Sequence, residues 1–375
     1  MARGSYRAVA KERAMRGSSK MHARAVGSIG LGLAILVASC GGGGGGAATP
    51  STAAASAAPK ATCAAKKITI AVPVTPPNVV HLTPYVADAF GYFKDENLTV
   101  ELVRFDGGVG SLRASASGAI DLAGTSTEPV VDAIANGADV KIIYTYAPLV
   151  DVSFAVGPGI KSMADLKGKK MGVQEPGGFA DVMTRIVLKK AGLDPAKDVT
   201  FVTTTTAGRV QALATGTTDT AVLHIDQIKT VQKQTPTITV LANMWEVLTD
   251  YQYSVYIVPT QVLKDDPATP ECIIRALMRA NRAMYDSANR QKIIDLGVTQ
   301  TKEAADVVAD TFDTLVKAKA WPQNEGLLKA NIEGTIASEK GFGKITKDLK
   351  FEDVTDLTIV KKVVDQLGRV KDFPY

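Results

Sequence analysis

Outside a basic N-terminal segment the chain carries two histidines, His81 and His224, and neither stands near a nucleophile and an acid in a pattern that would activate it. No Gly-x-Ser-x-Gly elbow occurs. The cysteines Cys40, Cys63 and Cys272 form no Cys-x-x-Cys pair and no Cys/His cluster at ligand spacing, so neither a metal centre nor a cofactor is expected. What remains is a set of acceptors, small donors and rings: Asn78, His81, Ser126, Thr127, Glu128, Glu175, Gly177, Phe179, His224 and Asp226, with Tyr251 and Tyr253 as further candidates. Carboxylates and amides accept hydrogen bonds from ring N–H, amino and hydroxyl groups, Phe179 supplies a stacking face, and glycine lets backbone approach a small molecule closely. Such groups hold a molecule without transforming it. Arg113 and Arg209 are the nearby cations, so an anion would meet repulsion from the acids, although helix N-termini hold oxyanions through backbone N–H groups alone. The expected ligand is a neutral or weakly cationic, donor-rich heteroaromatic, with an oxyanion as the alternative. Structural roles are also open to these residues: Asn78 in a Pro-rich turn, Glu128 in the first turn of a helix, Glu175 in a solvated turn. Trp245 and Trp321 are assigned to structure.

Elements must bring these residues to one place. Residues 67–74 are an apolar, β-branched run that reads as a buried strand, ended by Thr75-Pro76-Pro77-Asn78. Thr83 then suits an N-cap, Pro84 the first helical position and Gly91 a left-handed C-cap. Further strands are expected at 98–105, 120–124 and 140–146, with Thr125-Ser126-Thr127-Glu128-Pro129 as a capped helix start. Strands alternating with short helices at this spacing specify a parallel α/β sheet whose ligand-facing turns lie beyond the strands' carboxyl ends. A second such unit has strands at 170–173, 199–203, 220–223 and one ending at Leu241, with a helix over 179–191. Residues 151–156 and 253–258 read as extended segments crossing between the units. The expected architecture is α/β, with 66–150 and 257–375 as lobe I, 151–256 as lobe II, a cleft between them and two hinge crossings.

The N-terminus reads as an export signal over 1–39. Of the chain's 43 Lys/Arg and 38 Asp/Glu, this leader holds seven and one, and its apolar stretch at 25–38 is too short to span a bilayer comfortably. Leu36-Val37-Ala38-Ser39-Cys40 resembles the bacterial lipobox, in which the cysteine is lipidated; plain cleavage is the alternative. Gly41 to Gly46 and an Ala/Ser/Thr/Pro tract to residue 65 have little to bury and read as a flexible tether. Without the leader the net +5 becomes 36 basic against 37 acidic side chains, which removes the support for a nucleic-acid partner. Cys63 and Cys272 either pair in an oxidising compartment or stay free.

A family resemblance can be placed on particular residues. Pro77-Asn78-x-x-His81-x-x-x-Tyr85-Val86-Ala87, followed by Gly91-Tyr92-Phe93-Lys94-x-Glu96-x-Leu98-x-Val100, resembles substrate-binding proteins of ATP-binding-cassette importers in the thiamine-precursor-binding ("no message in thiamine"-like) and sulfonate/taurine/nitrate-binding group. Ala116-x-Gly118-x-x-Asp121, Glu128-Pro129 and Leu166-x-Gly168-Lys169-x-x-Gly172-Val173 extend it over roughly 68–283. The resemblance implies a type II periplasmic-binding-protein fold that closes on a solute and delivers it to the permease and ATPase subunits of an importer. It also implies a monomer, held on the extracytoplasmic face of the cell membrane by lipidated Cys40. The solute it implies is a vitamin or vitamin precursor of the riboflavin or aminopyrimidine type, with organosulfonate, taurine or nitrate as the alternative. Some relatives in this fold group are enzymes that form the pyrimidine precursor; they carry a cysteine-rich motif absent here and lack an export leader, so this chain is expected not to be an enzyme.

Overall fold

Two five-stranded sheets organise residues 63–375, the part of the chain that the computed structural model describes. The export signal, Cys40 and the tether up to residue 62 lie outside the described residues. In chain order the strands are β1 (Lys66–Val72), β2 (Leu98–Arg104), β3 (Leu122–Ser126), β4 (Val140–Tyr144), β5 (Val152–Val156), β6 (Lys170–Val173), β7 (Thr200–Thr203), β8 (Thr220–His224), β9 (Thr239–Asn243) and β10 (Ser254–Pro259). The first sheet has the order β2-β1-β3-β10-β4 and the second β7-β6-β8-β5-β9. β3, β5 and β8 are buried at every position, whereas β7 and β9, at sheet edges, are partly exposed. Helices cover both faces of the inner strands, which therefore need apolar or small residues throughout.

The sheets are mixed rather than parallel. β1 runs parallel to β2 and β3, and β6 to β7 and β8, but β10 is antiparallel to β3 and β4, and β5 to β8 and β9. The reason lies in the crossings. A strand that arrives straight from the other lobe enters its sheet from the cleft end, whereas a parallel neighbour requires a crossover of a dozen or more residues. β5 and β10 are those strands; residues 151–156 and 253–258, expected as crossings, are therefore largely sheet strands, and the two hinge connections are the segments that lead into them.

Local differences from the sequence reading have identifiable causes. The third strand starts at Leu122, not 120, because Asp121 is used as a staple: its carboxylate accepts from the backbone N–H and hydroxyl of Thr69 (2.8 and 2.9 Å). Thr83 is inside its helix (Thr83–Ala89) with Leu82 at the cap, since a 3-10 turn over Val79–His81 feeds directly into it; the Thr83 hydroxyl donates to Asn281 Oδ1 at 2.8 Å. Tyr146 lies beyond the end of β4. Trp321 is fully buried and its indole N–H donates to the Val80 carbonyl at 3.0 Å, a structural role.

Cys63 and Cys272 form a disulfide, tying the start of the described chain to the helix Ala268–Ala283 across 209 residues of sequence. Closing so long a loop removes much of the unfolded chain's freedom. Reduction, or Cys63→Ala, is expected to lower stability by about 2–4 kcal/mol in urea melts. An unchanged midpoint after reduction would show that the bond contributes nothing.

Candidate functional site

Carboxylates link the strand tips of the two lobes. Asp226, in the first turn of the helix Ile225–Gln234, accepts from Asn78 Nδ2 (3.0 Å) and the Val79 backbone N–H (2.9 Å). Asp106, just past β2, accepts from the backbone N–H and hydroxyl of Thr206 (both 2.9 Å), which opens the helix Thr206–Ala214. In the opposite direction Glu175, just past β6, accepts from the Val109 N–H (2.8 Å) in the first turn of the helix Gly108–Ala116. Gly107 makes that last contact feasible. Its φ is +144°, and a Cβ there would stand 2.2 Å from Glu175 Oε1.

Between these clasps lies a cluster of rings. His81 sits 5.3 Å from Tyr146 and 5.4 Å edge-on from His224; Phe179, at the start of the helix Phe179–Lys190, lies 4.6 Å from Tyr253 and stacks on His224 at 6.4 Å. A polar chain threads them. Asp151, where the first crossing enters β5, holds His224 Nδ1 at 2.9 Å; the Tyr253 hydroxyl lies 3.4 Å from His224 Nε2 and 3.2 Å from His81 Nε2. Burial, aided by the charge of His224, pushes the His81 pKa well below its ordinary value, so His81 is neutral. Its Nδ1 has no hydrogen-bond partner among the described residues.

Glu128 is buried beside this cluster, in the first turn of the helix Thr127–Ala135. The Tyr251 hydroxyl donates to its Oε1 at 2.8 Å, while Oε2 has no partner among the described residues. Desolvation raises its pKa to about 7. Asn78 Oδ1, at the cleft, is in the same condition, and so is one donor, Arg209 Nε, whereas the Ser126 hydroxyl is directed at the Glu128 carboxyl. Buried polar atoms without partners are uncommon in folded proteins, and those near the cleft are what a bound polar molecule would satisfy, although others, such as both carboxylate oxygens of Glu339, lie away from it.

The sequence-derived candidates divide accordingly. Asn78, His81, Phe179, His224 and Asp226 are brought to the ring cluster, with Ser126 and Glu128 at its margin. Thr127 is spent on positioning, since its N–H and hydroxyl both donate to the Tyr253 carbonyl (3.1 and 3.3 Å). Glu175 and Gly177 stand on the flank. Glu175 serves the clasp at Val109, and the Gly177 N–H is taken by Asp181 at 2.9 Å. Sequence reasoning passed over Tyr146 and Asp151, whose signal was their place at the two ends of the first crossing. It also gave Trp245 to structure, but that ring is 40% exposed and borders a cavity of about 560 Å³ along the hinge. Among the described residues no group of three or more His, Cys, Asp or Glu is placed to hold a metal ion.

Comparison with known proteins agrees with this architecture. The sequence profile of the NMT1/THI5 like family matches residues 78–290, more than half of the chain. A Brucella abortus (strain 2308) protein is 28% identical over 179 residues, 48% of this chain and 54% of that one, so the chain spans about half the length of that relative. YtlA of Bacillus subtilis (strain 168) is 25% identical over 288 residues, 75% of this chain and 86% of its own. The names of both give only a provisional binding role. Among solved structures, the periplasmic aliphatic sulphonate binding protein SsuA of Escherichia coli has a TM-score of 0.61 at 19% identity, over 78% of this chain and 92% of that one. The periplasmic nitrate-binding protein NrtA of Synechocystis PCC 6803 has a TM-score of 0.67 at 12% identity, over 84% and 92%. Identities this low establish the shared fold, the two-lobed periplasmic-binding-protein architecture.

Proposed function

Because the chain belongs to the NMT1/THI5-like family, we propose that it is an extracytoplasmic solute-binding protein, which captures a donor-rich heteroaromatic by lobe closure and delivers it to an ATP-binding-cassette importer. The solute is a vitamin or vitamin precursor of the riboflavin or aminopyrimidine type. Lipidation at Cys40 and the glycine-rich tether would hold the protein, as a monomer, at the outer face of the cell membrane. The observation that carries the solute class is Glu128, a buried carboxyl with one oxygen fixed by Tyr251 and the other without a well-formed hydrogen bond among the described residues, where a ring N–H or amino group could supply one. The surrounding charge points the same way: Asp106, Glu128, Asp151, Glu175 and Asp226 face the cleft region against the guanidinium groups of Arg209 and, beside Glu175, Arg113. Two of the helix starts at the cleft, at Val109 and Thr206, already bond to carboxylates of the opposite lobe and are not available to an oxyanion.

A second reading, an organosulfonate or nitrate, has one observation in its favour. Arg209 is buried, donates to the Val222 carbonyl through Nη1 at 2.6 Å, and leaves Nε without a partner among the described residues. Calorimetry and thermal-shift titration of the full chain with riboflavin, an aminopyrimidine, taurine and nitrate separate the two readings. Riboflavin or the aminopyrimidine is expected to bind and raise Tm, and Glu128→Gln to weaken that binding by about 10- to 100-fold, the cost of losing a charged acceptor. Binding of taurine or nitrate with no response to either heteroaromatic would overturn the solute class.

A further inference from the structure

The hinge carries a cavity of about 560 Å³, within the range of small-molecule sites. Its walls come from parts of the fold that move relative to one another when lobes close: Leu149 and Tyr251 from the two crossings, Ile225 and Trp245 from the second lobe, and Leu315 and Ala318 from the helix Ala305–Lys317 and its end. We infer that this cavity is the seat of an uncharged, flat, multi-ring body belonging to the solute, whose edge lies against Tyr251, the side chain that bonds to Glu128; this rests on the solute-binding reading above.

Charge, surface and continuity each lead to this occupant. The ionisable groups on the walls already have partners. Asp151 bonds to His224 at 2.9 Å, Lys229 is paired with Asp310, and the Tyr251 hydroxyl is used by Glu128. A charged ligand would find no counter-ion there, whereas an apolar one would bury wall surface at no electrostatic cost. Trp245 and Val240 are the large hydrophobic side chains exposed among the described residues, and Trp245 stands at the cavity. An indole left in water beside an apolar hollow gains most from a flat ring laid against it. Continuity comes from Asp151 and Tyr251, which line the cavity on one side and bond to His224 and Glu128 on the other. A molecule in the cavity is thus one side chain away from the acceptor assigned to the solute's donors. Since both lobes and both crossings form the walls, occupancy favours the arrangement in which they stand together.

N-phenyl-1-naphthylamine, an uncharged multi-ring fluorophore, reports on this site in the full chain. Saturable binding is expected, with quenching of the exposed Trp245 that is absent from Trp245→Phe, where the buried Trp321 remains. Ala318→Trp and, independently, Thr314→Phe extend a ring into the cavity from exposed helix positions. Each is expected to weaken the probe by about tenfold or more while leaving Tm in place, since a filled cavity excludes a second ring. Riboflavin, the multi-ring candidate, is expected to raise Tm and to displace the probe. Unaltered probe affinity in both folded variants would overturn the inference, as would a heteroaromatic that binds yet leaves the probe in place. The latter result leaves the solute-binding reading standing. Probe binding that both variants abolish, with no response to any heteroaromatic, supports the cavity and overturns the solute class instead.

Discussion

Arg275→Met is expected to unfold with about 3–5 kcal/mol less stability than the parent chain, since it strands a buried carboxylate. Arg275 and Glu96 are both fully buried, and they meet through two parallel bonds, Nε to Oε1 at 2.8 Å and Nη2 to Oε2 at 2.7 Å. Hydrogen bonding to Glu96 pushes the guanidinium pKa upward still further. The pair joins the helix Ala268–Ala283 to the residue following the short helix Tyr92–Asp95, at the end of the first sheet away from the cleft and beside the Cys63–Cys272 bridge. Urea melts of Arg275→Met, Glu96→Gln and the double replacement Glu96→Leu/Arg275→Leu test it. Each single change leaves a buried polar group unmatched, whereas the double change removes both and is expected to cost less than either alone. Single variants within about 1 kcal/mol of the parent would mean that the pair is solvated more than its burial indicates.

Glu96 also shows where sequence reading stops. It belongs to the motif that marks the family resemblance, and nothing local distinguishes a residue that holds a helix from one that holds a solute. Apolar runs and their punctuation marked out the α/β fold with two crossings, because those features follow from burial periodicity along a few residues. The antiparallel insertion of β5 and β10 was not readable, since strand direction depends on the route by which the chain reaches the sheet. The acids at the strand tips were readable as cleft-facing. That Asp226 spans 147 residues of sequence to cap Val79, or that Asp106 caps Thr206, depends on a distance between lobes that no local pattern encodes. Trp245 illustrates the converse: an aromatic in an apolar neighbourhood looks like core until its exposure is seen.

Raising the pH from about 6.5 to 8.5 is expected to destabilise the protein while tightening its hold on a donor-rich solute, and the opposite signs make the pair of measurements diagnostic. Burial lifts the Glu128 pKa from 4.5 in the unfolded chain to about 7 in the fold. Its contribution to stability is therefore complete below the unfolded value and is lost as pH rises through 7. Across this window Glu128 alone is worth about 1 kcal/mol. Glu339, on the helix Lys329–Gly341 that packs against Glu128's helix, adds to the slope. Burial raises its pKa, as do the charges of Glu128 and Asp132, with Lys344 opposing. Burial raises the Asp132 pKa as well. His81 acts with the contrary sign, because burial depresses its pKa and its contribution is lost as pH falls through and below the ordinary histidine range; the window above 6.5 leaves only about 0.4 kcal/mol of it, less than the Glu128 effect. Solute binding should respond the other way, since the ionised carboxylate is the better acceptor for ring N–H and amino groups and a bound donor lowers the Glu128 pKa. Urea midpoints and calorimetric affinities at pH 6.5, 7.5 and 8.5 supply both curves, and Glu128→Gln should flatten part of the first and abolish the rise in the second. Stability that climbs with pH in this window would contradict a buried, protonatable Glu128. Affinity that falls with pH would mean that the solute approaches the carboxyl as an acceptor, the behaviour of an anion.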